Sequence, residues 1–224
     1  MRALLVVIAA TLAVGCTTSG GGEGGAGSDD ITCRDGMPPS RSIACVQSFN
    51  PGDGAGYGED KYPEIIYGEP QGKGTHAGST DVLSLGKGGT IVVGFGGSDI
   101  ANGDGPDFIV FENAFYIGDD ETKPFKELGE ISVSEDGATW STFPCATAAY
   151  PFTGCAGWHA VYAGSGLDYS AYDPATAGGD SFDLADVGLD HARFVKIRDV
   201  SNAGAGGSAG FDLDAVTLVN ATDR

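Results

Sequence analysis

The segment 130–143 (EISVSEDGATWSTF) constrains the fold most, because its pattern is that of a β-hairpin. Ile131 and Val133 alternate with serines, and the pair Asp136-Gly137 is favoured in a two-residue type I′ turn. Trp140 lies on the returning arm, where we expect it to pack on the core. Because no long segment shows the apolar spacing of an amphipathic helix, the sequence favours antiparallel strands.

Further short apolar runs between glycine-rich turns bring the predicted total to about eight to ten strands. The clearest of them are residues 46–49, 82–85, 90–95, 108–111, 193–200 and 211–219. Residues 145–190 form a long irregular region, in which short helical turns are expected near residues 181–187. We therefore predict an all-β fold, an antiparallel β-sandwich of the jelly-roll kind.

The charge balance limits the partners of this chain. Its 224 residues include 31 acidic and only 12 Lys and Arg side chains, which gives a formal charge of −19. Such a surface repels phosphate, so nucleic acid is excluded as a partner. The same surface leaves many oxygen atoms available for cations. The composition does not determine an oligomeric state.

The N-terminus predicts export and lipid anchoring. Residues 1–15 have the form of a signal peptide, in which Arg2 supplies the positive charge and residues 4–14 the short apolar stretch. The run Leu12-Ala13-Val14-Gly15-Cys16 resembles a bacterial lipobox, although Ala13 stands where leucine is more common. The resemblance implies lipidation of Cys16 and a place on the outer membrane, facing the cell surface. The alternative is an ordinary secretory signal that happens to contain Cys16.

The remaining cysteines suggest disulfides. Residues 16–30 are a tether rich in Gly and Ser, and residues 31–224 form the predicted β-sandwich domain with four further cysteines. An even number in an exported chain favours two disulfides, paired most simply as Cys33–Cys45 and Cys145–Cys155. Other pairings are possible. A zinc site is disfavoured because no CxxC spacing occurs.

The acidic loop before strand 108–111 is a candidate calcium site. Asp99, Asp104 and Asp107, together with Asn102, present oxygen ligands around glycines, which suits Ca²⁺. The loop lacks the frame of an EF-hand. A solvated turn is the alternative interpretation.

Three further acids are candidate ligands because they lie in or beside buried strands. Glu112 ends the apolar run 108–111, and it either binds a metal or caps backbone amides. Asp212 and Asp214 stand two apart on a predicted strand, so that both should project from one face. Unpaired carboxylates on a buried face are costly. The cost is avoided if the carboxylates bind Ca²⁺, accept hydrogen bonds from loop amides, or are exposed to solvent.

Several motifs together carry a family resemblance. SVSEDGATW (132–140) resembles the V-S-x-D-G-x-x-W hairpin of discoidin-like domains, and ARFVKIRDVS (192–201) resembles their A-R-Y-V-R-I strand. GFDLDAV (210–216) is similar to the terminal D-L-D-x-V strand of jelly-roll carbohydrate-binding modules. With DFIVFEN (107–113), the set resembles a group of bacterial cell-surface proteins and lipoproteins. The resemblance implies a galactose-binding-domain-like fold and a structural Ca²⁺ held at Asp214, with Asp212 beside it.

The loop region 145–190 carries the candidate ligand-binding aromatics. These are Trp158, Tyr162, Tyr169 and Tyr172. Aromatic rings on loops suit sugar or protein recognition, although Trp158 would equally cover the core.

We therefore predict non-covalent binding of a polysaccharide or other surface glycan rather than catalysis. The three histidines, His76, His159 and His191, are scattered, and neither HExxH nor GxSxG occurs. Two alternatives stay open. One is capture of a small cofactor or nutrient for an outer-membrane transporter, and the other is a hydrolase acting on glycans.

Overall fold

The computed structural model describes residues 32–201 and 203–224. The predicted signal peptide, Cys16 and the tether lie outside the described residues. Among the described residues no helix is long and apolar enough to cross a membrane.

The described chain consists of short strands joined by turns and four 3₁₀ turns. The 3₁₀ turns are Glu59–Lys61, Glu64–Ile66, Ile117–Asp119 and Leu184–Val187. The strands are β1 (Cys45–Asn50), β2 (Leu83–Ser84), β3 (Thr90–Gly94), β4 (Ser98–Ala101), β5 (Phe108–Phe111), β6 (Phe115–Tyr116), β7 (Pro124–Phe125), β8 (Gly129–Ser134), β9 (Ser141–Thr142), β10 (Cys155–Ala156), β11 (Asp180–Phe182), β12 (His191–Ala192), β13 (Phe194–Asp199), β14 (Asp212–Leu213), β15 (Ala215–Leu218) and β16 (Ala221–Asp223).

The strands form antiparallel sheets that face each other across one main core. The largest sheet has the order β1-β3-β13-β8-β10, and β9 pairs with β8. Smaller sheets have the orders β11-β5-β15 and β12-β4-β16, while β14 pairs with β2 and β6 with β7. The inward side chains of the two sets of strands meet in the core, as Val93 and Ile197 do with Phe108 and Val216. This arrangement confirms the predicted all-β antiparallel sandwich.

The apolar runs of the sequence became strands because their side chains fill this core. The predicted strand 108–111 is β5, in which every residue is buried, and the predicted strand 193–200 contains β13. The predicted helical turn near residues 181–187 forms at Leu184–Val187, where the Asp183 carboxylate accepts a hydrogen bond from Ala185 N–H.

The predicted last strand, 211–219, is broken at Asp214. Its first part, β14, pairs with β2, whereas its second part, β15, pairs with β5. Asp214 lies at the change of partner, and its N–H donates to the carbonyl of Phe111. Asp212 and Asp214 therefore do not belong to one continuous strand, as the sequence had suggested.

The hairpin 130–143 forms, but the predicted two-residue turn is wrong. Val133 pairs with Ser141, so the connection is a longer loop, and Asp136 does not have the positive φ that a type I′ turn requires. The Asp136 carboxylate accepts hydrogen bonds from Ala138 N–H and Thr139 N–H. These contacts stabilise the longer loop and hold the pKa of Asp136 at about 2.

Both predicted disulfides are confirmed. Cys33 is bonded to Cys45 at the start of β1, with an S–S distance of 2.07 Å. Cys145 is bonded to Cys155 in β10, with an S–S distance of 2.05 Å. Each disulfide fixes a short loop to the edge of the largest sheet.

Candidate metal centre

Three carboxylates from separate parts of the chain meet inside the protein. Glu112 directly follows β5, Glu127 lies between β7 and β8, and Asp212 lies in β14. One carboxylate oxygen from each residue lies within 4.8 Å of one from each of the others. Because Ca–O distances are about 2.3–2.6 Å, two ligands of one ion lie at most about 5 Å apart. The spacing therefore fits a single bound ion.

The group is buried, and its most buried member has no partner. Glu112 is 2% exposed, Glu127 3% and Asp212 7%. Neither carboxylate oxygen of Glu112 has a hydrogen-bond partner among the described residues. Burying a charged group without a partner is costly. Burial therefore raises the pKa of Glu112 well above its usual value, and the charges of Asp212 and Glu127 add to this. The nearby backbone N–H of Asn113 lowers the pKa of Glu112 and so opposes part of this increase, although it is not in hydrogen-bonding geometry.

The other two carboxylates are also unfavourable as anions. Burial, together with the charges of Asp212 and Asp199, raises the pKa of Glu127 to about 8. Lys87 opposes these effects only in part. Burial raises the pKa of Asp212 to about 6. All three groups thus require either protons or a cation in the folded protein.

Neutral groups beside the carboxylates hold Asp212 and offer one more oxygen. The Ser84 hydroxyl donates to Asp212 Oδ1, and Asn113 Nδ2 donates to Asp212 Oδ2 over 3.2 Å. The Asn113 side-chain oxygen, Oδ1, is buried without a hydrogen-bond partner among the described residues. It is a further candidate ligand beside Glu112.

The donor set determines which cation fits. The three carboxylates are hard oxygen ligands, and among the described residues neither His nor Cys belongs to the group. Ca²⁺ takes six to eight oxygen ligands in flexible geometry, whereas Zn²⁺ prefers nitrogen and sulfur. A buried group of this kind is suited to a structural calcium ion rather than to a catalytic one.

Asp214 lies outside this group, although burial raises its pKa to about 7. Its two carboxylate oxygens accept from the Gln71 N–H over 3.1 and 3.0 Å. Asp81 adds a repulsive charge near Asp214, and Lys73 an attractive one. The residue that the family resemblance favoured as a calcium ligand therefore has a backbone partner of its own.

Asp107 uses its carboxylate to hold backbone and side-chain amides. Its Oδ1 accepts from Gly103 N–H and Asn220 Nδ2, both at 2.8 Å, and its Oδ2 accepts from Leu184 N–H at 2.8 Å. These bonds satisfy a fully buried carboxylate without a cation and tie the acidic loop to its neighbours.

The remaining acids of the loop also lie apart from the three-carboxylate group. Arg224 Nε lies 3.0 Å from Asp99 Oδ1, although not in hydrogen-bonding geometry. Burial raises the pKa of Asp99, and the charge of Arg224 opposes this. Asp104 is exposed. From the segment 97–113, therefore, the structure brings only Glu112 and Asn113 to the candidate centre.

Glu127 is the member that the sequence prediction missed. It precedes β8, whose residues Ile131 and Val133 are fully buried. Because side chains in extended chain alternate, extending their inward register backwards reaches Glu127. This alternation in the sequence could have identified Glu127 as an inward-facing carboxylate.

The four predicted ligand-binding aromatics lie in different surroundings. Tyr162 and Tyr169 have ring centroids 6.2 Å apart and line a common cleft. The Trp158 indole donates to the Cys155 carbonyl over 3.1 Å and packs beside the ring of His159. Tyr172 lies under the Arg41 guanidinium and hydrogen bonds to Ser42, which gives it an evident structural role.

A histidine–carboxylate pair lies in the same loop region. His159 Nδ1 is 2.7 Å from Asp180 Oδ1. The other oxygen of Asp180 accepts from the backbone N–H groups of Gly157 and Trp158. The charge of Asp180 also reaches Glu112 and raises its pKa slightly.

Comparison with known proteins does not identify the chain. No model of a protein family matches the sequence, and no curated protein shows significant similarity to it.

Proposed function

We propose that the protein is a bacterial envelope lipoprotein whose β-sandwich is stabilised by one internal Ca²⁺ and binds a glycan non-covalently through its loops. The observation that carries the proposal is the buried Glu112 carboxylate, which has no partner among the described residues and faces Glu127 and Asp212.

Calcium is the cation that accounts best for this arrangement. Three ionised carboxylates would place up to three negative charges within 4.8 Å of one another. No lysine or arginine among the described residues forms a salt bridge with any of the three, so the ionised group lacks an internal counter-charge. A divalent ion with oxygen ligands supplies it.

The surface supports a glycan as the ligand. Two adjoining clefts of about 330 and 250 Å³ share Tyr162 and Ala175, and their walls combine aromatic rings with hydroxyl groups. Sugars present both apolar C–H faces and hydroxyls, so such walls complement them. The resemblance to jelly-roll carbohydrate-binding modules agrees with this ligand class.

The envelope location rests on the N-terminal sequence. Leu12-Ala13-Val14-Gly15-Cys16 resembles a lipobox and is followed by a sequence rich in Gly and Ser. The two disulfides suit an oxidising compartment outside the cytoplasm. Anchoring by lipid at Cys16 would display the domain away from the membrane.

Two measurements on the purified protein test the proposal. Chelation should lower the melting temperature and Ca²⁺ should restore it. An array of oligosaccharides should bind the protein in calcium without any sugar being cleaved. A melting curve that neither chelator nor Ca²⁺ changes would contradict the bound calcium ion. A blank array together with tight binding of a small cofactor would favour capture for a transporter, and release of sugar products would favour a hydrolase.

A further inference from the structure

The geometry points to a specific sugar subsite formed by the two adjoining clefts, in which His159 Nε2 accepts a hydrogen bond from a hydroxyl of a neutral sugar ring. His159 and Ser181 line one cleft, Tyr169 lines the other, and Tyr162 belongs to both. This inference rests on the proposed glycan binding and assigns it to one place.

The histidine is held in one orientation. A carboxylate can only accept a hydrogen bond, so in neutral His159 the nitrogen that faces Asp180, Nδ1, carries the proton. The other ring nitrogen, Nε2, is then an acceptor, and no described residue hydrogen bonds to it. The His159 side chain is 43% exposed and lines the cleft. A ligand hydroxyl is the natural partner for this nitrogen.

The groups behind His159 are themselves fixed. Asp180 is buried, and one of its oxygens receives hydrogen bonds of 2.7 Å from Gly157 N–H and 3.2 Å from Trp158 N–H. The Trp158 ring lies 3.6 Å from the His159 ring, measured between centroids. Trp158 in turn packs edge-on against Tyr150 and Phe152. Trp158 and Asp180 are therefore positioning residues, and the pre-oriented imidazole loses little entropy on binding.

The adjoining cleft supplies apolar surface. Tyr162 and Tyr169 pack edge to face, and Tyr169 is 42% exposed. Leu167 beside them is 58% exposed. An exposed Tyr ring and a leucine in one cleft, with a histidine in the adjoining one, match the two kinds of surface of a pyranose ring.

The backbone of the segments 160–163 and 177–178, which lies beside these side chains, is fixed by hydrogen bonds and close packing. The N–H groups of Tyr162 and Ala163 both donate to the carbonyl of Ala177, over 2.9 Å each. Gly178 has a φ of +73°, and a Cβ there would lie only 2.1 Å from the Ala160 carbonyl oxygen. Only glycine allows the two segments to approach so closely.

The lining favours a neutral ligand. No Asp, Glu, Lys or Arg lines either of the two clefts among the described residues, although the chain contains 31 acids. An anionic sugar would find no lysine or arginine in this part of the described structure, and the buried Asp180 behind His159 would repel the anion. The chemistry selects hydroxyl-rich, uncharged saccharides.

The test compares variants of the purified protein on an array of neutral and acidic oligosaccharides, followed by titration of the strongest neutral hit. We expect His159→Ala and Tyr169→Ala each to weaken binding about tenfold, since each removes one hydrogen bond or one stacked ring. His159→Gln, whose amide oxygen can accept a hydrogen bond, should recover part of the loss.

Two controls match these variants closely. His191 also faces a carboxylate, Glu135, and its side chain is 48% exposed, while Tyr57 is 42% exposed like Tyr169. His191→Ala and Tyr57→Ala should bind as the wild type does. Melting curves with calcium show that every variant is folded.

The outcomes separate this inference from the proposed function. Wild-type binding that His159→Ala and Tyr169→Ala leave unchanged would overturn the subsite while glycan binding stands. A wild-type protein that binds no sugar, or only acidic sugars, would overturn the subsite, and the first of these results would overturn glycan binding as well. Cleavage of the bound sugar would contradict the role of His159 as a simple acceptor.

Discussion

Glu112 and Asp212 place carboxylate oxygens within 4.8 Å of each other in the interior of the protein, and an oxygen of Glu127 lies within the same limit of both. In a buried site, ionising both of two adjacent carboxyl groups costs free energy, because the two negative charges repel each other. A proton or a cation that neutralises the two carboxylates therefore also stabilises the contact between the end of β5 and β14. A cation in this position would fasten three separate chain segments together.

Replacing Glu112 with glutamine should separate the cost of the buried charge from the benefit of the ion. In chelator at pH 8 we expect Glu112→Gln to unfold with a free energy about 1–2 kcal/mol larger than the wild type, because folding of the wild type must either bury an unpaired charge or take up a proton, and glutamine requires neither. The variant should also lose the rise in melting temperature that calcium gives. Chemical denaturation and thermal melting measure the two effects.

Asp214→Asn is the matched control for this substitution. Asp214 is also a buried acid with a raised pKa, but it lies outside the three-carboxylate group. The variant should therefore keep the full calcium response. Loss of the response in Asp214→Asn but not in Glu112→Gln would place the ion elsewhere.

The stability of the metal-free protein should fall as the pH rises from 5 to 8.5. The folded-state pKa values of Glu127, about 8, and Asp212, about 6, lie above their ordinary values, so the folded state binds more protons than the unfolded chain in this range. That stabilisation is complete below the ordinary values and is lost as the pH passes the folded-state values.

Calcium should reverse this trend, because the ion binds the deprotonated carboxylates and its affinity increases with pH. Melting temperatures measured in chelator and in calcium across this pH range test both statements. A metal-free melting temperature that increases towards pH 8.5 would be inconsistent with unpaired carboxylates at the centre.

Asp107→Ala should destabilise the fold without affecting calcium binding. The substitution leaves the amides of Gly103, Leu184 and Asn220 without their acceptor. The bond to Leu184 N–H is buried, whereas the other two are partly buried and their donors can turn to water. Because a buried unpaired donor costs about 1–3 kcal/mol, we expect a loss of about 2 kcal/mol or more in the free energy of unfolding. The calcium-induced rise in melting temperature should be unchanged.

The exposed Asp104 of the same loop provides the comparison, since Asp104→Ala should alter neither quantity. A calcium response abolished by Asp107→Ala in a folded protein would restore the acidic loop as the metal site.

The sequence predicted the strands best where apolar runs had to be buried. Residues 108–111 became β5 because a β-branched and aromatic run leaves no other stable place for its side chains. The same reasoning identified Glu112 and Asp212 as problematic carboxylates, since each adjoins such a run. Both are members of the candidate centre.

The rest of the site depends on tertiary contacts that local patterns do not contain. Glu127 reaches Glu112 and Asp212 only because the fold brings the segment before β8 close to the end of β5 and to β14. The acids of the loop 97–107 looked like calcium ligands by spacing, yet Asp107 holds amides and Asp99 lies beside Arg224. The break at Asp214 follows from a change of pairing partner, which the alternation of side chains along one strand does not reveal.

Titration calorimetry of Ca²⁺ into the chelator-treated protein tests the central claim most directly. For the wild type we expect one site per chain. At a calcium concentration of about 1,000 times Kd, binding should stabilise the fold by about 4 kcal/mol and raise the melting temperature by about 10 °C. Glu112→Gln and Asp212→Asn should abolish the heat of binding, and Asp214→Asn should preserve it. No binding heat in the wild type, or equal heat in all four proteins, would contradict a calcium ion held by Glu112, Glu127 and Asp212.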